Sequence, residues 1–437
     1  MDSTFAARLA DRDLVVGVVG LGYVGLPLAI AYAEAGFRVL GYDVNAERVA
    51  ALNMGASHIE DVAAERVAAA VAADTFLAVD DPARLSEADA VFICVPTPFD
   101  SAKTPDLSYV RGATEQVARA LRPGMLVVLQ STTFPGTTTE VVQPLLEEIS
   151  GLRAGEDFHL AFSPERVDPG NTRWTVRNTP KVVGGVTQEG AERAQGLLES
   201  VMDEPGLVRI LSTPAAAEMA KLLENTYRAV NIALVNELAM LAHEMGIDLW
   251  EVIDGAATKP FGFQPFYPGI GPGGHCIPVD PYYLSWRARE FDFQTKFIEL
   301  AADTNLRMAS YVRERIQTFL NHRGKTLRGA KVLVCGAAFK AGVRDVRNSR
   351  ALRLMELLDD LGAEVAFADP QVPSLRLGDR ELKATTVTEE SLRRFDLVVI
   401  AVAHREWPVD LIVGSGVPVF DAVNATRGHT AAHVERL

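Results

Sequence analysis

From Leu14 onward, short apolar runs alternate with longer stretches whose apolar residues recur every three or four positions. LVVGVVG (14–20) predicts a buried strand, and Leu26 to Ala35 a helix. RVLGYD (38–43) predicts a second strand, with a helix from about Ala46. ADAVFICVP (88–96) and MLVVLQST (125–132) read as further strands, separated by a helical segment over about 108–121. PKVVGG (180–185) and a helix over about 188–203 continue the layer. Strands alternating with amphipathic helices build a parallel sheet covered on both faces.

The texture changes near Ser212. Pro214 to Met245 is a run of strong helix formers with no interior Gly or Pro, longer than an ordinary globular helix, and predicts a spine between domains or subunits. The Gly-, Pro- and aromatic-rich segment 260–283 predicts a long ordered loop, a feature that usually carries function. A helix over about 296–321 leads through the basic hinge HRGKTLRGAK (322–331) into renewed alternation: KVLVCG (331–336), a helix over 348–361, EVAFAD (364–369), DLVVIAVA (396–403) and VPVFDA (417–422). The expected architecture is α/β, with two Rossmann-like doubly wound parallel-sheet domains, 1–211 and 326–437, joined by a helical middle domain, 212–325. No short-period repeat is present, and the two sheet domains are at most a distant duplication.

Composition narrows this picture little. Apolar residues make up 48% and charged residues 23% of the 437, ordinary for a globular chain with material for a core. The net charge of −14 disfavours nucleic acid and anionic membrane as partners, so a phosphate-bearing ligand must be held by local geometry. Cys94, Cys276 and Cys335 are too few and scattered for a disulfide framework or a zinc site, so no metal is expected and a reducing, cytoplasmic setting fits. No signal peptide is expected at the start of the chain. Leu14 to Ala33 carries no charge and is long enough to span a bilayer, but Gly17, Gly20, Gly22, Gly25 and Pro27 fit strand, turn and helix start better than one helix.

Candidate chemistry begins at that turn. Gly20-Leu21-Gly22-Tyr23-Val24-Gly25 is a GxGxxG that follows a strand and opens a helix. The first glycine permits the tight turn, the second lets a pyrophosphate approach the backbone, and the third lets helix pack on strand. Asp43 stands 18 residues after Gly25, at the end of the second strand, where a carboxylate would bind ribose hydroxyls and repel a 2′-phosphate. NAD is therefore favoured over NADP. The second sheet domain lacks the glycine triplet. It gathers Lys340, Arg344, Arg347 and Arg350 instead, either a solvated basic face or a phosphate site.

Cys94 and Cys335 lie in apolar strands and read as inert small hydrophobes. Cys276 lies in GPGGHCIPVD, where a loop thiol is accessible, and is a candidate nucleophile; His275 reads as structural. Lys221 and Asn225, at i and i+4, share a helix face that Arg228 continues, which is either a ligand-facing or a solvent-facing stripe. FSPERVDPGN (162–171) brings Glu165, Arg166 and Asp168 together, and QSTTFPGTTTE (130–140) puts hydroxyls at the edge where open α/β sheets bind ligands. Turn and cap chemistry is the plainer reading of both.

Together GVVGLGYVGLPLA, CVPTP, QSTTFPGTT, FSPERVDPGN, AEMAKLLENTYRAVNIALVNELA, GGHCIPVDP and FKAGVRDVRNS resemble the successive motifs of nucleotide-sugar 6-dehydrogenases, the UDP-glucose/GDP-mannose dehydrogenase family, over about residues 14–420. SPERVDPGN and ATKPFGFQPFYPGIGPGGHCIPVDPYYL are most similar to the UDP-N-acetylglucosamine branch. The resemblance implies a four-electron oxidation of a UDP-sugar C6 alcohol to a carboxylate, with two NAD per turnover. It implies Cys276 as nucleophile, Lys221 and Asn225 as oxyanion stabilisers, Asp280 with Thr132 as proton handlers, and Glu165 in thioester hydrolysis. It places the cofactor on Gly20, Gly22, Tyr23, Val24, Gly25, Asp43, Arg48, Thr97, Thr132 and Arg347. The UDP-sugar would meet Glu165, Arg166, Lys221, Asn225, Tyr267, Gly271, Gly273, Phe339 and Lys340. Two positions depart from the pattern. UDP-glucose members carry a partner-subunit Arg where this chain has Pro260 beside Lys259, and Arg344 stands where many members are acidic or neutral. UDP-glucose and UDP-N-acetylmannosamine oxidation, and a catalytically silent sugar-nucleotide binder, are the other readings. A homodimer through the long helix is expected, since that helix is too extended and apolar for one small domain to cover.

Overall fold

The computed structural model describes residues 3–100, 104–168, 170–171, 173–274 and 276–437. It forms two compact units: the chain up to Leu223 together with Tyr282–Asp292, and Glu224–Pro281 together with Phe293–Leu437. The division falls inside the helix Pro214–Met245, whose ends coincide with the predicted ones.

The first unit is built on β1 (Val15–Val19), β2 (Arg38–Tyr42), β3 (Phe76–Val79), β4 (Ala90–Ile93), β5 (Leu126–Leu129), β6 (His159–Phe162), β7 (Lys181–Gly185) and β8 (Val208–Leu211). They form one sheet in the order β3-β2-β1-β4-β5-β6-β7-β8. Every residue of β4 and β5 is buried, because helices including Gly25–Glu34, Ser108–Ala120 and Gln188–Glu199 cover both faces. That is why these strands read as continuous apolar runs rather than alternating ones. The sheet is parallel except where β6 meets β7. Between them the described residues of 163–180 contain no helix, and only a crossover connection could have returned the chain parallel.

The second unit holds β9 (Lys331–Cys335), β10 (Glu364–Ala368), β13 (Leu397–Ile400), β14 (Val419–Asp421) and β15 (Val434–Arg436) in a parallel sheet ordered β10-β9-β13-β14-β15, with a separate hairpin of β11 (Ser374–Leu377) and β12 (Arg380–Lys383). Met308, Val312, Ile316 and Phe319 of the helix Lys296–Asn321 and Leu354, Met355 and Leu358 of Arg350–Asp360 share one core with β9 and β13. The pattern along the chain did not signal the hairpin or β15: short, half-exposed strands leave no apolar run.

The order of each sheet reverses once, between β1 and β4 in the first and between β9 and β13 in the second, and such a reversal is where open α/β sheets bind ligands. The uncharged stretch after Leu14 is β1, a turn and a short helix. Among the described residues no helix is long and apolar enough to cross a membrane.

Candidate active site

In the first unit the turn after β1 uses its three glycines differently. Gly20 has φ +89°, and a Cβ there would come within 2.8 Å of the Cys94 carbonyl oxygen. A Cβ on Gly25 would lie 1.9 Å from the Gly20 oxygen, so only glycine lets the helix begin against the strand end. Around Gly22 there is open space with nothing within 4 Å. A cradle that a side chain would fill, set before the helix Gly25–Glu34, fits a dinucleotide pyrophosphate. Tyr23 is exposed and Val24 half-buried beside it.

Asp43 follows β2 and is buried. Its Oδ2 accepts from the Leu21 amide at 2.9 Å and from Arg48 Nη1 at 2.8 Å, and Oδ1 accepts from the Asn45 amide at 3.0 Å. A carboxylate offers about four lone-pair positions, so about one is left for a hydroxyl. Arg48, one-third exposed, is the partner that can yield another.

The ends of β4, β5 and β6 carry the next group. Thr97 is buried and its carbonyl accepts from the Tyr283 hydroxyl at 2.7 Å, while Thr132 is half-buried. Glu165 is fixed from several sides: Arg166 and Val167 amides donate to Oε1 at 2.7 and 2.9 Å, Gln130 Nε2 to Oε2 at 3.1 Å, and Lys181 Nζ lies 3.2 Å from Oε2. Burial works to raise the Glu165 carboxyl, but the Lys181 ammonium and the two amides outweigh it and hold the group below the ordinary carboxylate range. Glu165 is thus an anion by construction. Arg166 is half-buried, with its guanidinium donating to the Pro180 carbonyl at 2.7 Å.

Lys221 is buried, one turn after Glu218 on the long helix. Glu218 accepts from the Gly136 amide at 2.6 Å and from the Thr138 amide and hydroxyl at 2.9 and 2.6 Å, tying the loop that follows Thr132 to this helix. Burial raises the Glu218 carboxyl above its ordinary range, against those three hydrogen bonds.

The second unit holds the thiol. Cys276 is exposed, whereas Cys94 and Cys335 are buried inside the strand layers. Burial pushes the Cys94 thiol far up and the Cys335 thiol up to about 12, so neither forms a thiolate near neutrality. The Cys276 carbonyl accepts from the Asp280 amide at 2.8 Å, which closes a turn carrying thiol and carboxyl one helical step apart. Asp280 is buried, and Asn225 Nδ2 donates to its Oδ2 at 2.5 Å. His275 lies outside the described residues.

The glycines before the thiol make room first for the protein itself. A Cβ on Gly271 would meet the Asn305 oxygen at 2.5 Å, one on Gly273 would meet the Phe339 Cβ at 3.0 Å, and one on Gly274 the Phe339 ring at 2.8 Å. Tyr267 stacks on Trp250 and donates its hydroxyl to Asp254 at 3.0 Å. In the basic segment Lys340 is half-buried, and Arg347 is paired with Asp345 at 2.6 Å. Lys259, beside the departure at Pro260, lies 4.9 Å from the centre of the exposed Phe261 ring. Among the described residues no group of three His, Cys, Asp or Glu could hold a metal ion.

Reading residue types alone missed Lys181, Gln130 and Glu218. A Lys opening an apolar strand and a Glu three positions before Lys221 are the available signals, and neither names its partner.

The dinucleotide turn at the first sheet's reversal point fits a class, the nucleotide-dependent oxidoreductases. Residues 14–202 match the NAD binding domain of the UDP-glucose/GDP-mannose dehydrogenase family, 215–307 its central domain and 333–427 its UDP binding domain. The chain is 38% identical over 397 residues to UDP-N-acetyl-D-glucosamine 6-dehydrogenase of Pseudomonas aeruginosa, spanning 91% of this chain and 92% of that one. It is equally 38% identical over 397 residues to UDP-N-acetyl-D-mannosamine dehydrogenase of Pyrococcus horikoshii, spanning 90% of each. A solved structure described as UDP-D-ManNAc dehydrogenase from Pyrococcus horikoshii matches with a TM-score of 0.87 at 34% identity, over 97% of this chain and 99% of that one. The chain therefore belongs to the UDP-glucose/GDP-mannose dehydrogenase family and is an NAD-dependent nucleotide-sugar 6-dehydrogenase.

Proposed function

We propose that this enzyme oxidises the C6 hydroxymethyl of a UDP-N-acetylhexosamine, with UDP-N-acetylglucosamine as first choice, to the uronic acid. NAD, held by Gly20, Gly22, Tyr23, Val24, Gly25, Asp43, Arg48, Thr97, Thr132 and Arg347, accepts two electrons at each of two successive oxidations. The Cys276 sulfur adds to the C6 aldehyde and makes that carbon tetrahedral, as the second oxidation requires. Loss of two electrons from this thiohemiacetal leaves a thioester; water then breaks the C–S bond, giving carboxylate and returning the thiol. Lys221 and Asn225 stabilise negative charge on the C6 oxygen, a contribution worth about 100–1,000-fold in rate per donor. Asp280 and Thr132 hold the water and protons. Glu165, kept anionic by Lys181, orients the hydrolytic water rather than acting as a strong base. Arg166, Tyr267, Gly271, Gly273, Phe339 and Lys340 hold the UDP-sugar.

The observation that carries this reading is that Cys276 alone of the three cysteines is exposed, on a turn closed by Asp280, the partner of Asn225. Cys276→Ala is expected to lower acid formation by roughly 1,000-fold or more while UDP-sugar binding persists. NADH release and carboxylate mass measure it, and undiminished acid from the variant would remove the nucleophile.

The second reading, UDP-N-acetylmannosamine as substrate, draws on the Pyrococcus horikoshii relative, as similar overall as the Pseudomonas one. NADH release from UDP-N-acetylglucosamine, UDP-N-acetylmannosamine and UDP-glucose in parallel decides among them. Turnover of UDP-glucose alone would overturn both N-acetyl readings. We assign 1–211 to cofactor binding, 212–325 to the thiol loop and subunit contact, and 326–437 to the UDP-sugar, in a cytoplasmic enzyme. Exposed Tyr227, Leu234, Leu238, Leu241 and Met245, with Phe297 and Leu300, support a homodimer. Sedimentation as a monomer at micromolar concentration would refute it.

A further inference from the structure

We propose that Asn348 is a positioning residue for the nucleophile: it ties the basic segment 339–350, whose Phe339 and Lys340 are assigned above to the UDP-sugar, to the turn that carries Cys276. The inference rests on the reading of Cys276 as the nucleophile and adds to it.

Asn348 has φ +52°, in the left-handed region that side-chain-bearing residues seldom occupy and that Asn tolerates best. In that conformation its Nδ2 donates to the Gly274 carbonyl at 3.1 Å, two residues before the thiol. Its own carbonyl oxygen lies 3.0 Å from where a Gly273 Cβ would stand. One residue therefore touches two successive peptides of the thiol turn. The same turn is covered by the Phe339 ring at Gly274 and approached by Arg350 Nε, 3.4 Å from the Pro272 carbonyl.

The other side of the linkage is stiff. Ser349 caps the helix Arg350–Asp360, its hydroxyl accepting from the Leu352 amide at 3.3 Å, so Asn348 is held against a helix start. The Phe339 amide donates to the Asp345 carbonyl at 2.9 Å, and the Gly342 amide donates to His404 Nδ1 at 3.3 Å, closing the segment between Phe339 and Asn348. Glycines at 271, 273 and 274 bring no side chains of their own to hold the thiol turn. A left-handed Asn on a capped helix thus reaches a turn whose glycines add no anchor of their own. Misplacement of a reacting group by about 1 Å costs about 100-fold in rate. Losing one neutral hydrogen bond to the part-buried Gly274 carbonyl alters the folding equilibrium much less, by about fivefold.

That difference separates positioning from mere structure. Asn348→Gly keeps the left-handed backbone and removes the donor; Asn348→Asp keeps size and backbone tolerance and sets an acceptor against the Gly274 carbonyl. Both variants, as full-length chains, are expected to lower kcat by about 10–100-fold, Asp more than Gly. UDP binding by calorimetry stays within about threefold, and Tm shifts little. The rate of Cys276 alkylation by iodoacetamide, followed by mass, changes in both variants. In wild type UDP alone alters that rate, and in the variants the response to UDP is lost. A kcat within twofold of wild type in both variants, or an alkylation rate and UDP response equal to wild type, overturns the proposal. A parent enzyme in which Cys276→Ala stays active overturns the nucleophile reading and this proposal with it. An inactive Cys276→Ala beside fully active Asn348 variants sinks only the positioning role.

Discussion

The reversal points of the two sheets are built alike and put to different use. In each, a left-handed glycine follows the first strand: Gly20 at φ +89° donates to the Tyr42 carbonyl at 2.8 Å, and Gly336 at φ +103° donates to the Ala368 carbonyl at 2.8 Å. In each, an aspartate just past the second strand accepts the next amide, Leu21 to Asp43 at 2.9 Å and Ala337 to Asp369 at 2.7 Å. There the likeness stops. After Gly20 the chain leaves space at Gly22 and starts a helix at Gly25. After Gly336 it buries Ala337 and Ala338, and no helix begins before Arg350. Asp369 Oδ2 lies 3.2 Å from Nε2 of the buried His404, whose Nδ1 accepts from the Gly342 amide. One reversal point keeps a backbone cradle and a carboxylate for a dinucleotide; the other fills both, and its basic side chains lie on the longer connection that follows. Shared topology sets where a ligand can bind, and the contents of the turn decide which.

The strongest test of that contrast is Gly25→Ala. A Cβ 1.9 Å from a backbone oxygen cannot be absorbed, and a loss of about 3 kcal/mol or more is expected, read as a lowered urea midpoint. Gly336→Ala, with a Cβ 2.5 Å from Val402 Cβ, should also destabilise, but without a separate effect on NAD affinity.

Asp369→Asn comes next. Burial alone would raise this carboxyl, but His404 and the amides of Ala337, Ala338 and Gln371 bring it down to about 2 from the ordinary 3.8. The folded value lies below the unfolded one, so its stabilisation is complete above about pH 4 and fades as pH falls toward 2. It amounts to about 2 kcal/mol at most. Urea midpoints between pH 5 and 2 should fall less steeply in the variant, with NAD affinity unchanged.

Asp43→Asn should do the reverse, raising the KM for NAD by about tenfold and narrowing the preference over NADP. Equal NAD affinity in wild type and Asp43→Asn would erase the distinction between the two aspartates. Gly22→Ala is the mildest: with open space around it, stability should stay within about 0.5 kcal/mol while the KM for NAD rises a few-fold.

Much of this was legible along the chain because it is local. Apolar runs marked β1, β2, β4, β5, β9, β10 and β13, since a strand covered on both faces must be apolar throughout. The glycine spacing and Asp43 marked the dinucleotide turn, since φ and close approach are properties of individual positions. The glycines before Cys276 were legible as glycines, but not that Phe339 and Asn305 would fill their space. Glu165 stood out in its motif and its partner Lys181 did not, because a buried ion pair between a loop and a strand leaves no periodic trace.

Sequence alone thus determined most of the buried strands, the cofactor turn and which thiol lies outside the strand layers, all consequences of burial pattern and backbone freedom within a few residues. Only the tertiary structure decided the antiparallel turn-back at β7, the sealing of Asp369 by His404 and the grip of Asn348 on Gly274. Each joins groups that chain pattern does not pair, the last of them 74 positions apart, and packing geometry selects such partners where residue type does not.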